Sequence, residues 1–177
     1  MTAPDDPHTP ASDPTAHRAA VWPWLVLALV VIVLDQISKY QIIGSFAYGE
    51  RLPVIQGFFD LTLLYNPGAA FSFLAGHSGW QRWFFMGIAT VIGLWLCYAI
   101  IFERTNALTR LAYASILGGA IGNLYDRILH GKVVDFISWH IGNAYWPTFN
   151  VADVGICVGV GLLVIAWLVE WRAGSRL

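Results

Sequence analysis

The stretch VWPWLVLALVVIVLDQISKYQII, residues 21–43, decides how the chain must fold. A helix rises ~1.5 Å per residue, so this run exceeds the ~30 Å hydrocarbon core of a bilayer. It also carries Asp35 and Lys39, two charges that a purely lipid-facing span would exclude. Three more apolar stretches are as long, at about 79–102, 108–129 and 151–171. Trp22, Trp24, Trp80, Trp83, Trp167 and Trp171 fall near the ends of these runs, as an aromatic belt requires, whereas Trp95 lies mid-span. The reading is a four-helix membrane protein.

Composition agrees. Of 177 residues, 57% are hydrophobic and 12% charged, where a soluble domain has roughly 25% charged. The net charge of −1 offers no basic surface for phosphates, so no nucleic-acid partner is expected. Cys97 and Cys157 sit singly inside apolar runs and read as small hydrophobes. The five histidines show no metal-ligand spacing.

Residues 1–20 hold four prolines and three aspartates, which reads as a disordered tail. They lack the positive n-region of a signal peptide, and no small-residue cleavage site follows the first run. The expected domain is 21–171, followed by a short tail at 172–177. The loops at 44–78 and 130–150 share one side of the membrane, and both termini share the other. Lys and Arg divide evenly, with Arg18, Arg104, Arg110, Arg172 and Arg176 against Lys39, Arg51, Arg82, Arg127 and Lys132. Lys39 and Arg127 fall within the bundle, which tips the rule toward cytoplasmic termini. The segments 51–65 and 133–140 are strand-like, so the fold class is an all-α integral membrane protein of four transmembrane helices with a small extracytoplasmic β-rich cradle.

Polar residues inside spans are functional candidates by default. Asp35 and Lys39 share a helix face at i, i+4. They read either as part of a site or as an interfacial ion pair with Lys39 snorkelling outward. Asn66-Pro67-Gly68 is turn chemistry, or an amide aimed at a bound peptide backbone. Gly118 and Gly122 have the spacing that lets helices approach closely. Asn123, Asp126 and Arg127 end the third span, as interhelical glue or as a site. Asp135 lies among Val133, Val134, Phe136 and Ile137, where its charged form is disfavoured unless its side chain reaches water. Asn150 and Asp153 form a helix capping pair whose positive helix end favours an anionic carboxylate. Two carboxylates on one side of the membrane suggest a dyad in which one keeps its proton and the other acts as base.

Five segments now stand in order: DQISK (35–39), NPGAAFS (66–72), GNLYDR (122–127), VVDF (133–136) and FNVAD (149–153). Together they resemble the motif set of bacterial lipoprotein signal peptidase, signal peptidase II, over about residues 21–171. The resemblance implies an aspartic endopeptidase with Asp135 and Asp153 as catalytic dyad and neither metal nor cofactor. It implies that Asn66, Gly68, Asn123, Arg127 and Asn150 bind substrate or hold the dyad, with Asp35, Lys39 and Asp126 in support. It also implies an inner-membrane enzyme, with its site near the extracytoplasmic face. The substrate would be a diacylglyceryl-modified prolipoprotein, cut before the lipidated cysteine. Membrane lipid is the other expected partner, and a monomer is expected. The 44–65 loop is expected to form a lid or cradle over the substrate opening. Two other classes compete from the residues alone. A proton-coupled carrier would use the same intramembrane charges, but the chain shows no repeat. A structural subunit would use them as glue.

Overall fold

The computed structural model describes residues 21–68 and 80–174. The expected tail at 1–20 and residues 69–72 of the NPGAAFS segment lie outside the described residues. Helix α1, Trp22–Ser45, starts with a proline in its first turn, where no N–H is needed. It hands over to strands β1, Arg51–Ile55, and β2, Phe59–Asn66. Helix α2 is Trp80–Phe102 and helix α3 is Ala107–His130. The Asn106 side chain caps α3 by accepting from the Thr109 N–H at 2.8 Å. Gly131 ends α3 with φ of 73°, the left-handed conformation that lets the chain turn at once into the sheet. Strands β3, Val133–Ile141, and β4, Ala144–Tyr145, follow, then helix α4, Val151–Gly174.

Helices α1, α2 and α4 are each long and apolar enough to cross a membrane. Helix α3 matches them in length but carries Arg110, Asn123, Asp126 and Arg127, and it packs against all three of the others. The strands form one antiparallel succession in the order β1-β2-β3-β4, so the all-α description widens to helices plus a small sheet. In the β2–β3 register Leu64 lies opposite Asp135 and Asn66 opposite Val133.

Glycines set the helix spacing around α3. A Cβ on Gly118 would sit 2.7 Å from the Ala28 carbonyl oxygen of α1. One on Gly119 would collide with the Ala152 carbonyl oxygen of α4. One on Gly122 would sit 2.6 Å from Asp35 Oδ2. These absences let backbone meet backbone, the contact mode that replaces hydrophobic collapse in lipid. Two apolar clusters result. One joins Ala28, Leu96, Ile100 and Leu117 within the bundle; the other joins Ile42, Leu63, Val134 and Phe136 beneath the sheet. Along α1, Asp35 and Lys39 fall between Ala28 and Ile42, so a buried polar layer separates the two clusters.

Candidate active site

Asp135 is the third residue of β3 and is 4% exposed. Asn66, the last residue of β2, donates its amide to Asp135 Oδ2 at 3.0 Å. The Asn66 amide cannot easily turn round, because its oxygen accepts the Gly68 N–H at 2.9 Å. Gly68 is required there: its φ is +111°, and a Cβ would lie 2.9 Å from the Phe85 ring. The Asn-Pro-Gly segment is therefore both a turn and the fixing of an amide.

Asp153 sits in the first turn of α4 and is half-buried. Asn150 and Asp153 complete a reciprocal cap. The Asp153 N–H donates to Asn150 Oδ1 at 3.0 Å, and the Asn150 N–H donates to Asp153 Oδ2 at 3.2 Å. The Asn150 amide then reaches Asp135 Oδ1 at 2.7 Å and the Val134 carbonyl at 3.2 Å. One asparagine thus links both carboxylates. Asn123 of α3 closes the ring by donating to Asp153 Oδ1 at 2.7 Å. Each of the four carboxylate oxygens receives one N–H.

Burial pushes the Asp135 carboxyl up to about 7; the Asp153 charge adds to this, while the Asn66 and Asn150 hydrogen bonds and the Lys39 charge oppose it. Near neutral pH the Asp135 carboxyl therefore still carries a proton part of the time, where an ordinary carboxyl has lost it.

The other expected residues form a second layer. Lys39 is 2% exposed and does not snorkel. Its ammonium contacts Asp35 Oδ2 at 2.7 Å, Asp126 Oδ2 at 2.9 Å and Asn123 Oδ1 at 3.1 Å. Asp35 Oδ1 also accepts the Ala152 N–H at 2.8 Å, and Asp126 Oδ2 accepts the Val134 N–H at 3.1 Å. Each carboxylate so ties its helix to an element that carries the dyad. Arg127 donates to the Asn123 carbonyl at 3.2 Å and lies over the Phe85 ring at 5.4 Å. Its Nε is buried and has no hydrogen-bond partner among the described residues.

Two features escaped the sequence reading. Gln36 reaches Asp35 Oδ2 at 3.0 Å, Asp126 Oδ1 at 3.0 Å and the Gly122 carbonyl at 3.2 Å. A third polar residue beside Asp35 in an apolar span was the available signal. A separate cluster joins Arg51, Asp60, Ser138 and His140 on the sheet. Its members lie up to 89 residues apart, so no local pattern announces it.

The chain matches the family model described as signal peptidase (SPase) II over residues 27–169. The lipoprotein signal peptidase of Azoarcus sp. (strain BH72) is 55% identical over 157 residues, which are 89% of this chain and 87% of that one. The lipoprotein signal peptidase of Neisseria gonorrhoeae (strain ATCC 700825 / FA 1090) is 52% identical over 165 residues, covering 93% and 99%. A bacterial membrane enzyme solved by the in meso method at 2.3 Å resolution superposes with a TM-score of 0.74 at 35% identity, covering 84% of this chain and 88% of that one.

Proposed function

The chain belongs to the signal peptidase II family and removes signal peptides from prolipoproteins, and from that premise we propose that Asp135 and Asp153 make the cut as a carboxylate dyad. The observation that carries this reading is the single Asn150 side chain, which donates to Asp135 and caps together with Asp153. Two carboxylates on separate elements are thereby tied through one residue.

Asp153, partly exposed in the first turn of α4, is the base. Asp135, buried and raised to about 7, keeps the proton. Asp153 takes a proton from water as the water oxygen attacks the scissile carbonyl. Asp135 donates its proton to the carbonyl oxygen. When the tetrahedral intermediate collapses, the proton on Asp153 passes to the leaving amine, and Asp135 recovers its own from the hydroxyl that becomes the new carboxyl.

Arg127 is the group that pairs with the substrate backbone, while the amides of Asn66, Asn123 and Asn150, committed to the two carboxylates, hold the dyad in place. Backbone that has left helical structure at membrane depth is tolerated only where protein or a wet cavity pairs with it. The substrate is a diacylglyceryl-modified prolipoprotein, cut before the lipidated cysteine, whose acyl chains stay in lipid between helices. Helix α3 is the fourth span. At 24 residues it is long enough, and its polar residues face the other helices instead of lipid. The enzyme lies in the bacterial inner membrane as a monomer, with cytoplasmic termini and its site at the extracytoplasmic face under the sheet.

The test is cleavage of a diacylglyceryl-modified prolipoprotein in detergent by wild type, Asp135→Asn and Asp153→Asn. Each variant keeps the side-chain shape and loses the acid–base function, so turnover should fall by about 10³-fold or more. Wild-type rates from either variant would remove that residue from the chemistry.

A further inference from the structure

The orientation of the Asn123 amide decides whether Asp153 has a donor or an acceptor at its Oδ1, and the geometry points to Lys39 as the group that sets it. We propose that Lys39 is a positioning residue that acts on the dyad through Asn123, an inference that rests on the dyad reading above.

An ammonium has three N–H donors and no acceptor. All three of those on Lys39 are used, on Asp35, Asp126 and Asn123. Whatever side of the Asn123 amide faces Lys39 must therefore be its oxygen. With the oxygen at 3.1 Å from Lys39 Nζ, the amino group points to Asp153 Oδ1, where it donates at 2.7 Å. The reversed amide would set its NH2 against the ammonium and its oxygen against a carboxylate, which makes both contacts repulsive.

Asn150 also donates to Asn123 Oδ1, at 3.2 Å, but its amino group has two hydrogens for three acceptors. The shortest of these, 2.7 Å, goes to Asp135. The remaining hydrogen is shared between Asn123 and the Val134 carbonyl, both at 3.2 Å. Lys39 supplies the one undivided donor to the Asn123 oxygen.

Lys39 is itself fixed. Asp35 belongs to its own helix and accepts from Ala152 of α4; Asp126 belongs to α3 and accepts from Val134 of β3. The ammonium thus sits where α1, α3, α4 and the sheet converge, one amide away from the base. Its burial makes the placement rigid, since the long side chain has no water to turn towards.

The test is a double-mutant cycle on the full-length protein in detergent, with diacylglyceryl-modified prolipoprotein as substrate. Lys39→Met should lower kcat by about 100-fold with KM within about twofold, the cost of a misaligned reactive group. Asn123→Ala should do the same. Lys39→Met with Asn123→Ala should be no slower than Asn123→Ala alone by more than about threefold, because a residue that acts through another has no effect once that other is gone. Multiplying losses, or a Lys39→Met enzyme with wild-type kcat, would overturn the proposal. Lys39→Met strands two buried carboxylates, so the cycle is repeated with Asp35→Asn and Asp126→Asn in every member, where the same inequality must hold. Asp135→Asn and Asp153→Asn are run alongside. If they cleave normally the dyad reading fails; if they are inert while the cycle is multiplicative, only the role of Lys39 fails.

Discussion

Helices α3 and α4 are equal in length, at 24 residues, and lie side by side, yet they are opposite in character. Helix α3 buries residues along most of its length, among them Arg110, Ser115, Asn123 and Asp126. Helix α4 buries only Ala152, Gly159 and Ala166, and presents Val158, Val160, Val164, Ile165 and Trp167 outward. In water the apolar side chains would be the inner ones. Here they are the outer ones, because the solvent is hydrocarbon and packing, not apolar burial, holds helices together. Hydropathy therefore identifies the rim of this molecule, and glycines and polar residues identify its axis.

Substitution should separate axis from rim. The largest effect is expected at Gly119, where any side chain meets the Ala152 backbone. Gly119→Leu should cost about 3 kcal/mol or more and show as loss of folded protein in detergent. A side chain at Gly161 of α4 would meet no atom within 4 Å of its Cβ. Gly161→Ala should leave activity unchanged and gain roughly 0.5–1 kcal/mol from helix propensity. Equal damage at the two glycines in thermal melts would erase the distinction.

A second, intermediate effect comes from pH. Asp135 holds its proton up to about 7 in the folded protein, whereas an ordinary carboxyl loses it near 4. Between those values the native state binds a proton that the unfolded state does not, so stability falls as pH rises through the window, by up to about 1.4 kcal/mol per unit. Asp135→Asn should flatten that slope in melts taken from pH 4 to 7. For the wild type, kcat/KM should drop about tenfold per unit above pH 7 as the donated proton is lost, while a flat profile to pH 9 would exclude this assignment. The sheet offers a subtler probe: removing residues 51–60 should raise KM for the lipidated substrate, and unchanged processing would deny the 44–65 segment a part in holding it. Smallest of all is Val164→Leu on the exposed side of α4, expected within ±0.5 kcal/mol of wild type.

Much of this architecture is legible before folding, for a physical reason. Long apolar runs have few other uses, so α1, α2 and α4 stand out. The strands at 51–55, 59–66 and 133–141 follow from β-branched and aromatic runs beside turn residues. Asn150 and Asp153 advertise a helix start and prove to cap each other. What the chain does not advertise is partnership. Lys39 next to Asp35 fits a local pair at the interface equally well, and only the arrival of Asp126 and Asn123 from a helix more than 80 residues later buries it. Gln36 bridges the same two helices; its place beside Asp35 in an apolar span marks it out as a polar residue but does not say which helix it reaches. Arg51, Asp60 and His140 meet through strand register, which a two-residue shift in pairing would abolish.

The bond from the Ala152 N–H to Asp35 Oδ1 joins the first helix to the last. Synthesis runs from α1 to α4, so the Asp35 carboxylate must wait for its final donor until nearly all the chain has left the ribosome. Asn150 and Asp153 arrive on that same last segment. The tie between the first and last helices and the pairing of Asp135 with Asp153 are therefore completed by the same closing stretch of chain.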